Sequence, residues 1–465
     1  MKKLLCMLLM LSMLLSLASC AKAENDAVPF APDIGAAYEP SGGYYTPPVY
    51  SADDAWSDES GVETPTIESF VASTTAAATW AAEMEAAMDA AMDAAEKASA
   101  AAAEAGKKAD ATMAVPAVTE RPKEPEVQVG SGMLTAGEWK DLENIDFWVK
   151  VLNNNDWYKM MEKRGLFANK IVPVKVVDGN GTPCFNVPVS LTNSDGKVIY
   201  SAVSDVNGMA YLLYDLDNKK ETAGRIVIGG VQYDIAAQGQ TVVNLASAGV
   251  SATKLDLLFM IDTTGSMGDE LSYLQAELRD VIRKVAEAGQ VFAINLSVNF
   301  YRDTGDEYVV RSFEFTSDID KAISQLSEQS PNGGGDYAEA VHLALDDIVN
   351  NHQWRDGAVK LCFMVLDAPP HTDREIKGID DRMQTTVMTM AERGIRFIPL
   401  ASSGVDTETE FLLRSWAVMT GGTYTFLTNH SGIGNSHLEP TIGEYEVEKL
   451  NDLLVRVICE YCGIK

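Results

Sequence analysis

Residues 256–268 read Asp-Leu-Leu-Phe-Met-Ile-Asp-Thr-Thr-Gly-Ser-Met-Gly, and this stretch decides the fold. The apolar run from Leu255 to Ile261 ends in Asp262, and hydroxyl side chains follow at Thr264 and Ser266. A short apolar run that ends in a turn predicts a buried strand. Because open α/β sheets bind ligands at the carboxyl ends of their strands, we expect these three polar side chains to converge there. A carboxylate and two hydroxyls are hard oxygen ligands, which suit Mg²⁺, or alternatively Mn²⁺ or Ca²⁺, better than zinc.

Strand and helix patterns alternate through the rest of the chain. Apolar strands are predicted at 255–261, 293–301, 308–315, 359–366, 395–400 and 422–427. Helices are predicted at 268–288, 317–328, 337–350, 378–393, 406–419 and 444–458. Such alternation predicts an α/β fold, doubly wound, with a largely parallel sheet that carries helices on both faces.

The segment Asp262-Thr-Thr-Gly-Ser-Met267 resembles the metal-ion-dependent adhesion site (MIDAS) of the von Willebrand factor type A (VWA) domain. Two later segments strengthen the resemblance, namely Gly333-Gly-Gly-Asp-Tyr-Ala-Glu339 and the strand Leu361-Cys-Phe-Met-Val-Leu-Asp367. The resemblance covers residues 252–465 and implies a Rossmann-like VWA domain with a short antiparallel edge strand at 308–315. It also implies a divalent metal held by Asp262, Thr264, Ser266, Asp336 and Asp367, where a protein partner binds.

Each of these residues also has a structural alternative. Asp262, Thr264 and Ser266 are suited to capping the helix that begins near Met267. Asp367 would otherwise order the turn at Ala368-Pro-Pro370.

Asp336 departs from the family pattern, because many VWA domains have threonine after the glycines. It is either a third carboxylate at the metal or the N-cap of a capping box that ends at Glu339. Nearby, Arg302 and Asp303 are predicted to form a structural ion pair, and isolated His371 is not expected to bind zinc.

The overall composition limits the classes of partner. The chain has 465 residues, too many for one core, and a formal net charge of −30. This charge argues against nucleic acid and against electrostatic binding to an anionic membrane.

The first residues have the pattern of a bacterial lipoprotein signal peptide, residues 1–19. Leu17-Ala-Ser-Cys20 resembles a lipobox, which implies lipidation of Cys20 and an extracytoplasmic, lipid-anchored protein on the bacterial cell or outer membrane. The alternative is an ordinary signal peptide. We then expect a disordered linker at 20–75, an Ala-rich helix at 76–112 and a second linker at 113–132.

Two further segments precede the α/β region. Residues 133–169 are rich in aromatic side chains and are predicted to connect domains by packing against a neighbour. Within them, Leu134-Thr-Ala-Gly-Glu-Trp139 resembles a segment found ahead of such domains in bacterial lipoproteins. Residues 170–248 predict a small all-β sandwich, and the spacing of 176–189 resembles carboxypeptidase-regulatory-like and other Ig-like domains.

The sequence therefore predicts a membrane-anchored binding protein that uses a metal in its VWA domain for protein–protein interaction or adhesion. We expect it not to be an enzyme, because no nucleophile elbow, Walker loop or HExxH motif occurs. The pair Cys459 and Cys462 predicts a local disulfide or two free thiols. The alternatives are a non-catalytic subunit of an envelope enzyme or assembly complex, and a structural envelope protein.

Overall fold

The computed structural model describes residues 131–246, 249–288 and 292–464. Its strands are, in chain order, β1 Thr135–Trp139, β2 Ile171–Asp178, β3 Pro188–Asn193, β4 Val198–Val203, β5 Met209–Leu213, β6 Ala223–Ile228, β7 Val231–Tyr233, β8 Thr241–Leu245, β9 Lys254–Asp262, β10 Ala293–Tyr301, β11 Val310–Arg311, β12 Val359–Leu366, β13 Ile395–Ala401, β14 Tyr424–Leu427 and β15 Glu448–Lys449. The α-helices are α1 Ile145–Leu152, α2 Asn155–Arg164, α3 Gly268–Ala288, α4 Ile319–Ser327, α5 Val341–Asn350, α6 Ile379–Glu392, α7 Thr407–Thr420 and α8 Leu450–Cys462.

An eight-stranded sheet forms the centre of the α/β region, in the order β11-β10-β9-β12-β13-β14-β1-β15. The five strands from β10 to β14 run parallel, and β11, β1 and β15 pair antiparallel at the two ends. The chain leaves β9 first towards β10 and later returns to its other side as β12. The strand order therefore reverses at β9 and β12, the place where open sheets bind ligands.

Both faces of this sheet are buried, as the continuous apolar strands predict. On β9, Leu257, Phe259 and Ile261 pack with α3, α4 and α8, whereas Leu258 and Met260 pack with α5, α6 and α7. Phe259 stacks on Phe363 of β12 with ring centroids 5.3 Å apart. Layers of helices on both sides of a mixed sheet make this region an α/β fold.

The antiparallel strands depart from the expectations. The strand predicted at 308–315 is reduced to β11, which pairs with β10 through only two residues. A strand missing from the prediction, β1, comes from the aromatic-rich segment and lies between β14 and β15. Sequence reasoning missed it because five residues of mixed polarity carry little periodicity.

β1 is tied to α3 as well as to the sheet. The backbone amides of Gly132, Met133 and Leu134 donate to the carboxylate of Glu277, at 2.8, 2.9 and 3.1 Å. Glu277 is fully buried in α3. The three charge-assisted hydrogen bonds compensate its burial and fix where the chain enters the sheet.

The aromatic segment continues into α1 and α2, which pack on α7. Trp157 contacts both Trp148 and Phe411 edge to face, with centroids 6.1 and 6.0 Å apart. Arg414 of α7 is fully buried, lies over both tryptophan rings and donates two hydrogen bonds to Asp141. This segment is therefore a layer of the α/β fold.

Residues 171–245 form two small sheets, β5-β2-β8 and β4-β3-β6-β7. Their junction with the α/β region is hydrogen-bonded. The hydroxyl of Tyr200 donates to the carbonyl of Met419 at 2.6 Å, and Arg396 donates to the carbonyls of Val203 and Thr420. Because β1 precedes these sheets and β9 follows them, they are an insertion within the α/β fold.

The signal peptide, Cys20, the linker at 20–75, the Ala-rich helix and most of the linker at 113–132 lie outside the described residues. Within the described ranges, no helix has the length and apolar character needed to cross a bilayer. Cys459 and Cys462 are free thiols.

Candidate functional site

Asp262 is the last residue of β9 and is completely buried. Its Oδ1 atom accepts hydrogen bonds from the amide and the hydroxyl of Thr264, at 2.9 and 2.7 Å. Its Oδ2 atom makes no hydrogen bond of ordinary geometry among the described residues, and the nearby hydroxyl of Tyr301 is likewise buried and unbonded. Burial, followed by the charge of Asp367, raises the pKa of Asp262 to about 7. A buried carboxylate with one unpartnered oxygen costs free energy that a cation would offset.

The two hydroxyls lie where the sequence places them. Thr264 is buried and Ser266 is exposed, and their Oγ atoms are 3.2 Å apart. Thr264 occupies the N-cap position of a short 3₁₀ turn, Gly265–Met267, but its hydroxyl donates to Asp262 and does not cap the turn. The capping role that was the alternative for Thr264 is therefore wrong.

Asp367 immediately follows β12, the strand that neighbours β9. Its side chain is buried, and its Oδ1 atom also lacks a partner in the part of the chain that the structure describes. Burial raises the pKa of Asp367 to about 6, and the carboxylate of Glu270 acts in the same direction. The strand ends thus place two buried carboxylates together, each with a free oxygen.

The loop at 331–340 places its acidic residues differently from the expectation. Asp336 is exposed, and helix α5 begins only at Val341, with Ala340 as N-cap and no side-chain capping bond. The capping-box alternative for Asp336 is therefore wrong, because no helix starts there: residues 331–340 are irregular, with a bend at 336–337. Here Glu339 pairs with Pro370 as an isolated bridge.

Glu339 is the buried carboxylate of this loop. Its amide donates to the carbonyl of Pro369 at 2.9 Å, and its Oε2 atom lacks a hydrogen-bond partner within the described ranges. Burial, with the charges of Asp262 and Asp303, raises the pKa of Glu339 to about 9. Sequence reasoning missed this residue, and only the Gly-rich loop ahead of it signalled a close approach to the site.

The loop after β10 completes the edge. Arg302 and Asp303 do not pair with each other, contrary to the expectation. Asp303 contacts Nε2 of His371 at 2.8 Å, and Arg302 donates to the carbonyls of Thr263 and Ser330. The two residues follow the end of β10, and their side chains point to different partners in neighbouring loops.

Arg164 of α2 positions the loop that follows Asp367. Its side chain is buried and donates to Glu408 at 2.6 Å, to Asp380 at 3.0 Å and to the carbonyl of His371 at 3.2 Å. His371 therefore links this loop both to Arg164 and, through Asp303, to the end of β10. No local sequence signal predicts these contacts, because Arg164 is 207 positions away from His371.

Glu270, in the first turn of α3, is buried beside Asp367. It accepts from the amide of Ser403 and contacts Nε2 of His437, each at 3.1 Å. Asn429 holds the other ring nitrogen of His437 at 3.1 Å. The loop from 429 to 437 is thereby fastened to the helix that begins at the candidate site.

The donor set fits a hard divalent cation. Two carboxylates with unpartnered oxygens and two hydroxyls are oxygen ligands of the kind that Mg²⁺ takes. Across residues 131–246, 249–288 and 292–464, no group of three or more His, Cys, Asp or Glu side chains is arranged to hold a metal. The fit therefore rests on the mixed carboxylate–hydroxyl set formed by Asp262, Thr264, Ser266 and Asp367.

Comparison with known proteins identifies the α/β region. Residues 256–397 match a family model described as a von Willebrand factor A domain. This chain contains a VWA domain. The match to this family suggests a general role in protein–protein interaction or adhesion for the domain.

Two curated relatives match about a quarter of this chain. A putative ariadne-like RING finger protein, R811, of Acanthamoeba polyphaga mimivirus is 32% identical over 120 residues, covering 25% of this chain and 11% of that protein. The alpha-protein kinase vwkA of Dictyostelium discoideum is 27% identical over 122 residues, covering 25% of this chain and 19% of that protein. The chain thus spans less than a fifth of the length of either relative.

Among solved structures, the conserved hypothetical protein BatB from Bacteroides thetaiotaomicron is similar. It shares 13% identity, with a TM-score of 0.30, and the match covers 45% of this chain and 99% of that one.

Proposed function

We propose that the VWA domain binds a protein partner through a divalent metal ion held by Asp262, Thr264, Ser266 and Asp367. One observation carries the proposal: Asp262 Oδ2 and Asp367 Oδ1 are buried, acidic and without hydrogen-bond partners among the described residues. A native fold seldom leaves such atoms unsatisfied unless an ion or water satisfies them. Ser266 belongs to the proposed set because its Oγ lies 3.2 Å from that of Thr264. Asp336 is left out of the proposal, because no hydrogen bond among the described residues joins it to the four ligands.

The residues of this chain prepare the site for such an ion. Thr264 orients the carboxylate of Asp262 with two hydrogen bonds, and His371 and Arg164 hold the loop behind Asp367. A bound Mg²⁺ would supply a Lewis-acidic position for a carboxylate of the partner. Ser266 lies exposed at the surface of the site, so the metal face is accessible to a partner from solution.

We further propose the arrangement around this domain. A lipid on Cys20 anchors the protein outside the cytoplasm, and the Ig-like sheets at 171–245 brace the VWA domain. Their support is the lipobox-like segment Leu17-Ala-Ser-Cys20 and the hydrogen-bonded junction at Tyr200 and Arg396. The protein binds and does not catalyse. The support for this part is that the sequence contains no nucleophile elbow, Walker loop or HExxH motif.

The test is calorimetric titration of Mg²⁺ and Mn²⁺ into the full chain, beside Asp262→Ala and Asp336→Ala. We expect one binding site in the parent, loss of binding in Asp262→Ala, and affinity within about twofold of the parent in Asp336→Ala. No ion binding by the parent would refute the proposal. If ions bind but their removal only lowers the melting temperature and never weakens partner binding, the structural role replaces the adhesive one.

A further inference from the structure

Arg302 lies at the metal edge, the sheet edge that carries Asp262, Thr264, Ser266 and Asp367, and one nitrogen of its guanidinium makes no hydrogen bond within the described ranges. The residue is 3% exposed. Its Nε donates to the carbonyl of Thr263 at 3.1 Å and its Nη2 to that of Ser330 at 2.9 Å. Nη1 is buried and has no hydrogen-bond acceptor in the described part of the chain. Thr263 lies between Asp262 and Thr264, so this unused donor is next to the candidate metal ligands.

Arg311 contacts the same aromatic ring as Arg302. The guanidinium carbons of Arg302 and Arg311 are 4.4 and 3.9 Å from the ring centroid of Tyr308. The hydroxyl of Tyr308 is 2.7 Å from that of Thr263, which fixes the ring, and Arg311 Nη1 donates to Gln329 at 3.0 Å. Tyr308 thus holds two positive charges close together and in fixed orientations.

Glu307 contacts both arginines, but loosely. Its two carboxylate oxygens are 3.6 Å from Arg302 Nη1 and 3.7 Å from Arg311 Nη2. Both distances exceed those of charge-assisted hydrogen bonds, which are about 2.7–2.9 Å. The side chain of Glu307 is 69% exposed, so little holds it in place.

The other acidic groups of this loop are already engaged. Asp306 accepts from the amides of Asp303 and Gly334, at 3.1 and 2.9 Å, and Asp303 contacts His371. They therefore do not compete for the arginines. The two guanidiniums therefore place two positive charges beside the candidate metal ligands, in a chain with a formal net charge of −30.

We propose that Arg302 and Arg311 form an anion subsite that takes a carboxylate of the partner, and that Glu307 occupies it until the partner binds. The inference rests on the proposed function and specifies its partner: an acidic peptide segment with at least two carboxylates, one for the metal and one for the arginines. An incoming carboxylate displaces Glu307 into solvent and forms the short hydrogen bonds that Glu307 does not make.

The test measures binding of a fluorescent octaglutamate peptide to the full chain by anisotropy, with Mg²⁺ and with EDTA. An octaglutamine peptide is the ligand control. We expect Arg311→Gln to weaken octaglutamate binding about fivefold and Glu307→Gln to strengthen it about fivefold, as for partly exposed charge pairs. Arg283→Gln removes an exposed arginine from two ion pairs of α3 and should change nothing.

The opposite signs separate this inference from general damage, since a destabilised loop would weaken binding in both variants. The subsite is refuted if the parent fails to distinguish octaglutamate from octaglutamine, or if either variant changes the affinity by less than twofold or in the wrong direction. If EDTA abolishes binding while both variants behave like the parent, only the subsite fails. If EDTA changes nothing while both variants respond as expected, the subsite stands and the metal-dependent function fails.

Discussion

Asp262→Asn should stabilise the metal-free protein, although it removes the residue on which metal binding depends. Asparagine retains the shape and an acceptor for the Thr264 hydrogen bonds, but it removes a buried charge next to Asp367. The matched control is Asp141→Asn, because Asp141 is also buried but both of its oxygens are bonded to Arg414. The two variants make the same chemical change in a carboxylate without a countercharge and in one that is paired with Arg414.

The magnitude follows from the pKa. Burial and Asp367 raise the pKa of Asp262 from 3.8 to about 7. That difference of about 3 pH units corresponds to about 4 kcal/mol of destabilisation above pH 7. Two effects reduce the stabilisation expected for Asp262→Asn to about 2 kcal/mol. The neutral amide accepts weaker hydrogen bonds than the carboxylate, and part of the charge repulsion in the parent is already relieved by protonation of Asp367. The melting temperature should then rise by about 5 °C.

The assay is differential scanning fluorimetry in EDTA at pH 8, repeated with Mg²⁺. Asp262→Asn should melt above the parent in EDTA and gain nothing from Mg²⁺, whereas the parent should gain. Asp141→Asn should melt well below the parent in both buffers, because breaking a buried ion pair costs about 3–5 kcal/mol. If Asp262→Asn also melts below the parent in EDTA, Asp262 is compensated in the fold and the argument for the metal is wrong.

Three further outcomes follow from the same structure. In EDTA, raising the pH from 5 to 9 should lower the melting temperature, because Asp262 and Glu339 have raised pKa values of about 7 and about 9. Their stabilising contribution is complete below their unfolded pKa near 4 and is lost as the pH rises through the pKa values of the folded protein. Mg²⁺ should reduce this fall in melting temperature. A series of melting curves at five pH values, with EDTA and with Mg²⁺, checks both expectations. Arg164→Ala leaves Asp380 without its cation and Glu408 with only Lys163, so it should weaken Mg²⁺ binding in calorimetry at least threefold, whereas Lys163→Ala, which removes only an exposed partner of Glu408, should not. Gly422→Ala would place a Cβ atom 1.9 Å from the carbonyl oxygen of Phe397, so the soluble yield and melting temperature should both fall sharply.

The sequence predicts the parts of this protein whose signal is local. β9 and α3 follow from an uninterrupted apolar run and from helical periodicity, and both were predicted to within a residue or two. The positions of Asp262 and Asp367 follow from the rule that parallel strands end at one edge. No comparable local rule applies to β1. Its five residues form a strand by pairing with β14 on one side and β15 on the other, both distant in the chain.

The remaining site residues depend on partners that lie far away in the chain. The sequence predicts Glu339 as the end of a capping box, yet α5 begins only at Val341 and Glu339 forms a bridge to Pro370 with its carboxylate buried. His437 and Arg164 approach the site only because the sheet brings distant loops together, so periodicity and spacing give no indication of either. The misplacement of Asp336 has the same origin, since the late start of α5 leaves it at the surface.

The three hydrogen bonds that Glu277 accepts from residues 132–134 have a mechanical consequence. Residues 132–134 enter the domain at these amides, so tension applied to the chain at residue 132 would reach α3 through Glu277. Glu277 lies near the middle of α3, and the helix begins at Gly268, two residues after Ser266, at the candidate ligand edge. A pull on the chain ahead of residue 132 and a pull on a partner bound at the candidate ligand edge would therefore meet within one helix.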